Sequence, residues 1–137
     1  MSMDTVKDLM KEARIGFLAT TDGERPAVRP MGGWAWVEDE LWAATFARSA
    51  KVAEINKKPR AEVCFMVPDF RNVRIAGVCT ISTDQGDKDR LYEMVPILKQ
   101  HIPDPTSPDY VVLRIKPDSA RLMESESLGT VEVWPGG

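Results

Sequence analysis

Histidine is almost missing from this chain. His101 is the only one among 137 residues, and Cys64 and Cys79 are the only cysteines. One histidine excludes a His-rich metal centre, and no CxxC or Cys/His cluster is present to replace it. Both cysteines lie in apolar, strand-like runs, which favours two buried thiols over a disulfide or a redox pair. No Walker loop, GxGxxG or GxSxG motif occurs. No apolar run is long enough to span a membrane, so no membrane partner is expected. The opening stretch MSMDTVKDLMKEAR is charged and amphipathic and lacks the apolar core and cleavage site of a signal peptide, so a cytoplasmic location is expected. The net charge of −3 argues against general nucleic-acid binding, without excluding a local basic pocket.

What is present is an ordinary globular composition, 43% hydrophobic and 28% charged, over a length that suits one domain, residues 1–137. Val6, Leu9, Met10 and Ala13 recur at i, i+3, i+4 and i+7, which predicts an amphipathic N-terminal helix. RIGFLATT reads as a strand and DGE as the turn of a hairpin. PAVRPMGGWAWVEDELWAATF reads as two strands around the polar turn EDE. Pro30, Gly32 and Gly33 are out of place in a central strand, because proline cannot donate to the ladder and glycine marks bulges or close backbone approach. A short helix after Ser49 presents Val52 and Ile55 on one face and stops at Pro59. AEVCFMV and RNVRIAGVCTIST alternate as strands. DQGDKDRLYEMVPILKQHI reads as a helix with Leu91, Met94, Val95 and Leu98 on one face, kinked or broken at Pro96. PDPTSPD is a surface loop. YVVLRIKPDSARLME is a strand interrupted at Pro117, and GTVEVW a last short strand. Six or seven strands joined by hairpins imply an antiparallel sheet, and closure into a barrel would remove its exposed edges.

Three stretches could carry chemistry. In TFARSAKV, Arg48 and Lys51 crowd the start of a helix, where each cation is unfavourable by roughly 0.3–1 kcal/mol. Ser49 can cap that helix. A phosphate held by the helix N–H groups, the hydroxyl and the two cations would reverse the sign of the conflict. A capped helix with solvated cations is an equal alternative. In VRPMGG, residues 28–33, ladder-breaking residues leave backbone groups that could meet a flat heterocycle edge-on, or else form a bulge that curves the sheet. Trp34, Trp36, Trp42 and Trp134 suit core or subunit-interface packing more readily than ligand stacking.

The succession GFLATTDGERPAVRPM, then LWAATFARSAKVAEINKKPRAEVCF, then a long strand and a helix, resembles the pyridoxamine 5′-phosphate oxidase-like flavin-binding split barrels. The small general stress protein-like subgroup is the nearest in length and layout. The resemblance implies a mainly β chain, an antiparallel six-stranded split β-barrel with flanking helices, forming a homodimer with flavin mononucleotide (FMN) at the subunit interface. It implies that Arg29, Pro30, Met31 and Gly32 run along the isoalloxazine. Ala44 and Thr45 would border the ribityl chain and phosphate. Ser49 and Lys51 would grip the phosphate, with Arg48 beside them and Trp134 contacting the flavin from the C-terminal tail. The chain ends in VEVWPGG, without the basic substrate-binding tail of true pyridoxamine phosphate oxidases, so vitamin B6 oxidation is not expected. Some relatives bind a deazaflavin or haem instead, and a single histidine argues against axial haem ligation. The function implied is a flavin-dependent oxidoreductase acting on a small molecule, with no catalytic residue assigned. The alternative is a non-catalytic electron carrier or a stress-linked cofactor-binding module.

Overall fold

The spacing of apolar residues decides how the first helix docks. In the computed structural model, which describes residues 3–124 and 131–134, α1 (Met3–Ala13) buries Val6, Leu9 and Met10, the predicted stripe. β1 (Gly16–Thr21) and β2 (Pro26–Met31) form the expected hairpin, with Thr21 opposite Pro26. Its turn is held by the Asp22 carboxylate, which accepts from the N–H groups of Glu24 and Arg25 at 2.8 Å each.

Between Pro26 and Phe46 the chain makes three strands where the sequence reading expects two. β2 ends at Met31, β3 (Ala35–Val37) is separate, and β4 (Glu40–Phe46) follows. The break falls at Gly32–Trp34, where Gly33 adopts φ +73 and turns the chain away from β1. β3 pairs with β4 instead, at the far end of the sheet.

The remaining elements are α2 (Ala50–Lys57), β5 (Arg60–Met66), β6 (Asn72–Ser82), α3 (Gln85–Met94), α4 (Leu98–His101), β7 (Tyr110–Met123) and β8 (Val131–Trp134). The antiparallel sheet runs β2-β1-β5-β6-β7-β4-β3, with β8 added on β7. It therefore has eight strands, and the two beyond the expected six are short pieces of three and four residues, β3 and β8. β2 and β3 stand at the two ends of this order and do not pair with one another among the described residues. A terminal strand also accounts for Pro26 and Pro30, since a missing N–H is tolerated at an edge.

Two further expectations change. β7 runs unbroken through Pro117, because the irregularity is absorbed as a register shift at Ala76/Gly77, with Gly77 opposite Pro117. The approach is so close that a Cβ on Gly77 would lie 2.0 Å from the carbonyl oxygen of Lys116. Pro96 separates α3 from α4. The chain turns at Val95 (φ −125), so Val95 and Leu98 reach the core with Leu91, while Met94 is left 45% exposed.

Two apolar clusters result. One lies under α1 and holds Leu18, Val63, Phe65, Ile75, Leu113 and Ile115. The other packs α3 and α4 on the opposite face of β4 and β7, through Trp42, Leu91, Leu98, Tyr110 and Val112. β4 and β7 are thus covered on both faces, and their near-continuous apolar runs follow from that. Trp42 belongs to the second cluster, and Trp34 and Trp36 pack half-buried against the first, as the packing reading of these residues expects. The side chain of Trp134 lies outside the described part of the structure.

Candidate functional site

β4 delivers Thr45 to the start of α2, and three residues, Ala47–Ser49, make the turn. Ser49 has the extended backbone of a helix cap (φ −72, ψ 151), yet its side chain makes no capping bond. Its Oγ is buried and has no hydrogen-bond partner among the described residues. Such an orphan costs roughly 1–3 kcal/mol of desolvation, so a partner from outside the chain is expected there. No acidic side chain occupies the first turn of α2.

The two cations of this junction are treated differently. Arg48 turns outward, forms an ion pair with Asp109, and lies 5.4 Å from the ring centroid of Phe46. Lys51 is half-buried and donates from Nζ to Thr45 Oγ1 at 2.9 Å. It has no ion-pair partner among the described residues. Burial first, and the positive charge of Arg29 second, push its ammonium below the usual lysine range. Arg29 reaches across from β2. Its guanidinium donates to Thr20 Oγ1 at 2.7 Å, to the Leu18 carbonyl at 3.3 Å and to Glu54 Oε1 at 3.1 Å. Thr20 also donates to Glu54, at 3.2 Å. Two cations and one carboxylate meet here, and the excess positive charge sits at Lys51.

Gly32, Ala44 and Thr45 line a cleft of about 490 Å³ together with Ile97 and Leu98. The structure thus brings Gly32, Ala44 and Thr45 together, and links Thr45 through Lys51 to Arg29. It does not add Pro30, which is exposed on the outer face of β2 opposite Phe17. Met31 packs against the first apolar cluster, and its carbonyl accepts the Trp34 indole N–H at 2.9 Å. β2 is in regular register with β1 through Met31, so residues 28–31 form an edge strand and not a bulge. Sequence reasoning missed Thr20 and Glu54, which orient Arg29. It also missed Arg14 and His101, the titratable groups on this cleft. No local pattern signals the last two, because 87 positions of chain separate them and only the fold places both on one cleft.

Cys64 and Cys79 are free thiols. Cys79 is buried and desolvation pushes it up to about 12, while Cys64 is half-buried and raised by the same cause. Neither is a ready nucleophile.

A family model described as pyridoxamine 5′-phosphate oxidase like matches residues 1–134. The chain belongs to that family. Solved structures share the fold of this pyridoxamine 5′-phosphate oxidase-like protein. A NimC/NimA family protein from Clostridium acetobutylicum superposes with a TM-score of 0.82 at 20% identity, covering 96% of this chain and 90% of that one. General stress protein 26 from Bacillus anthracis gives 0.77 at 22% identity, with 95% and 97% covered. A pyridoxamine 5′-phosphate oxidase-related, FMN-binding protein from Nostoc punctiforme gives 0.67 at 21% identity, with 94% and 93% covered. No curated protein matches the chain. No helix among the described residues is long and apolar enough to cross a membrane.

Proposed function

We propose that this chain binds FMN, with the phosphate at the start of α2, and serves as a homodimeric flavin-dependent oxidoreductase of a small molecule. The observation that carries the reading is the buried Ser49 Oγ, which has no hydrogen-bond partner among the described residues, two residues before a half-buried lysine that has no ion-pair partner among them. The residues fit a phosphate: the hydroxyls of Thr45 and Ser49 can donate, Lys51 supplies charge beside the Arg29–Glu54 pair, and the N-terminus of α2 favours an anion. Arg48, already neutralised by Asp109, contributes less. Gly32 and Ala44 border the adjoining cleft, where the flat ring system would lie. A bound flavin supplies the redox chemistry, and the protein's share is to orient it and exclude water. A second copy of the chain suits the outer face of β1, β2 and β5, where Phe17, Val28 and Met66 are 44%, 68% and 45% exposed. Free thiols suit a reducing, cytoplasmic setting.

Lys51→Ala tests the phosphate assignment. A charge-assisted hydrogen bond is worth roughly 1.5–3 kcal/mol, so FMN affinity should fall about tenfold to a hundredfold. Riboflavin, which lacks the phosphate, should bind both proteins alike. Equal loss for both ligands in calorimetric titrations would show that the phosphate lies elsewhere. Anaerobic reduction of the loaded protein by NAD(P)H, followed by an acceptor screen, separates an oxidoreductase from an electron carrier.

A further inference from the structure

α1 and the residue after it sort their charges by face. Asp4, Asp8 and Glu12 follow one another at i, i+4 and i+8, and Lys7, Lys11 and Arg14 at i, i+4 and i+7. The acidic side has a partner, since Glu12 pairs with Arg71 at 3.3 Å. Among the described residues no ion pair involves Lys7, Lys11 or Arg14. These three cations line a cleft of about 290 Å³ together with Trp34 and Trp36. Lys7 Nζ lies 5.7 Å from the ring centroid of Trp36.

Both indole N–H groups are already used. Trp34 donates to the Met31 carbonyl at 2.9 Å, and Trp36 to the Met10 sulfur at 3.0 Å. What the rings have left to offer a ligand is apolar surface. Arg14 holds φ +69 where a helix usually ends in glycine, so a cation stands at a position that disfavours any side chain. Arg14 and Gly33 line both this cleft and the 490 Å³ cleft beside Thr45, so the two adjoin.

We propose that the cleft framed by Lys7, Lys11, Arg14, Trp34 and Trp36 binds the anionic end of a flat organic acid, and that it is the anion-holding part of the substrate site. The second half rests on the flavin reading; the first does not. Three cations without an ion pair among the described residues, beside aromatic walls, select a carboxylate or phosphate ester carried on an apolar body. A neutral molecule of the same shape keeps the stacking and loses the charge.

Calorimetric titration of the full chain with naphthalene-2-carboxylate, 2-naphthyl phosphate and naphthalene-2-carboxamide tests this, with FMN titrated in parallel. At least one acid should bind about tenfold or more tighter than the amide, a preference that weakens with salt. The tighter acid identifies the anion. The Lys7→Gln/Lys11→Gln variant, which spares Arg14 because that residue also lines the cleft beside Thr45, should lose the preference and keep its affinity for FMN. Both side chains are exposed, so the fold should survive, and Lys11→Glu alone should cut acid binding without touching the amide. Equal affinity for acid and amide, no binding of either acid, or a preference that persists in the double variant overturns the anion site. Wild-type protein that binds the acids but no FMN overturns the flavin reading and the substrate role, while the anion site stands.

Discussion

Ser49 carries the backbone of a helix cap without the bond of one. An ordinary cap loses about 1 kcal/mol when replaced by alanine. Here Ser49→Ala should leave the ligand-free protein equally stable or stabler in urea melts, because it removes a buried hydroxyl with no partner, while FMN affinity falls. A destabilisation of the usual size would show that the hydroxyl caps α2 after all. Cys79 carries a different prediction. Its folded thiol is held up near 12, whereas an unfolded cysteine titrates near 9.0. The folded protein therefore keeps a proton that the unfolded chain releases, so this contribution is intact below pH 9.0 and is lost as pH rises toward 12. Cys79→Ala should lower stability at neutral pH by about 1 kcal/mol and flatten the alkaline decline. An unchanged alkaline slope would locate the effect in other groups, Tyr110 first, which burial also raises to about 12.

At the scale of elements, Gly77 and Pro117 show how one long strand survives a residue that should end it. The register shift at Ala76/Gly77 takes up the irregularity, and the missing Cβ lets β6 approach the Lys116 carbonyl. Gly77→Ala should cost about 3 kcal/mol or more, since backbone and not a flexible side chain must move. A denaturation midpoint within error of wild type would mean the strand pair has slack that the close approach denies. α1, α2 and the break at Pro96 follow from spacing and proline chemistry. The division of residues 26–46 into three strands does not, because it depends on which neighbour β3 finds.

For the whole molecule, the exposed face of β1, β2 and β5 is the feature to test. Phe17, Val28 and Met66 form an apolar surface at one end of the sheet, beside an edge strand. Phe17→Asp with Val28→Asp should turn the proposed dimer into a monomer at micromolar concentration in sedimentation equilibrium. A wild-type chain that sediments only as a monomer would refute the dimer and leave this face without its proposed partner.

Family, mainly β architecture and the order of most elements were legible in the sequence, because alternation, amphipathic spacing and turn residues act over a few positions. The crowding of cations at 48–51 was legible too, as a conflict with the helix dipole. How the conflict is resolved was not. Only the tertiary structure shows Arg48 neutralised by Asp109, 61 positions away, and Lys51 left with a hydroxyl. The pairing of Arg29 with Glu54, the edge position of Pro30, and the placing of Arg14 and His101 on one cleft are of the same kind. Each depends on contacts between distant segments, whose partners are chosen by burial of the whole core and by sheet order, and no local pattern encodes that choice.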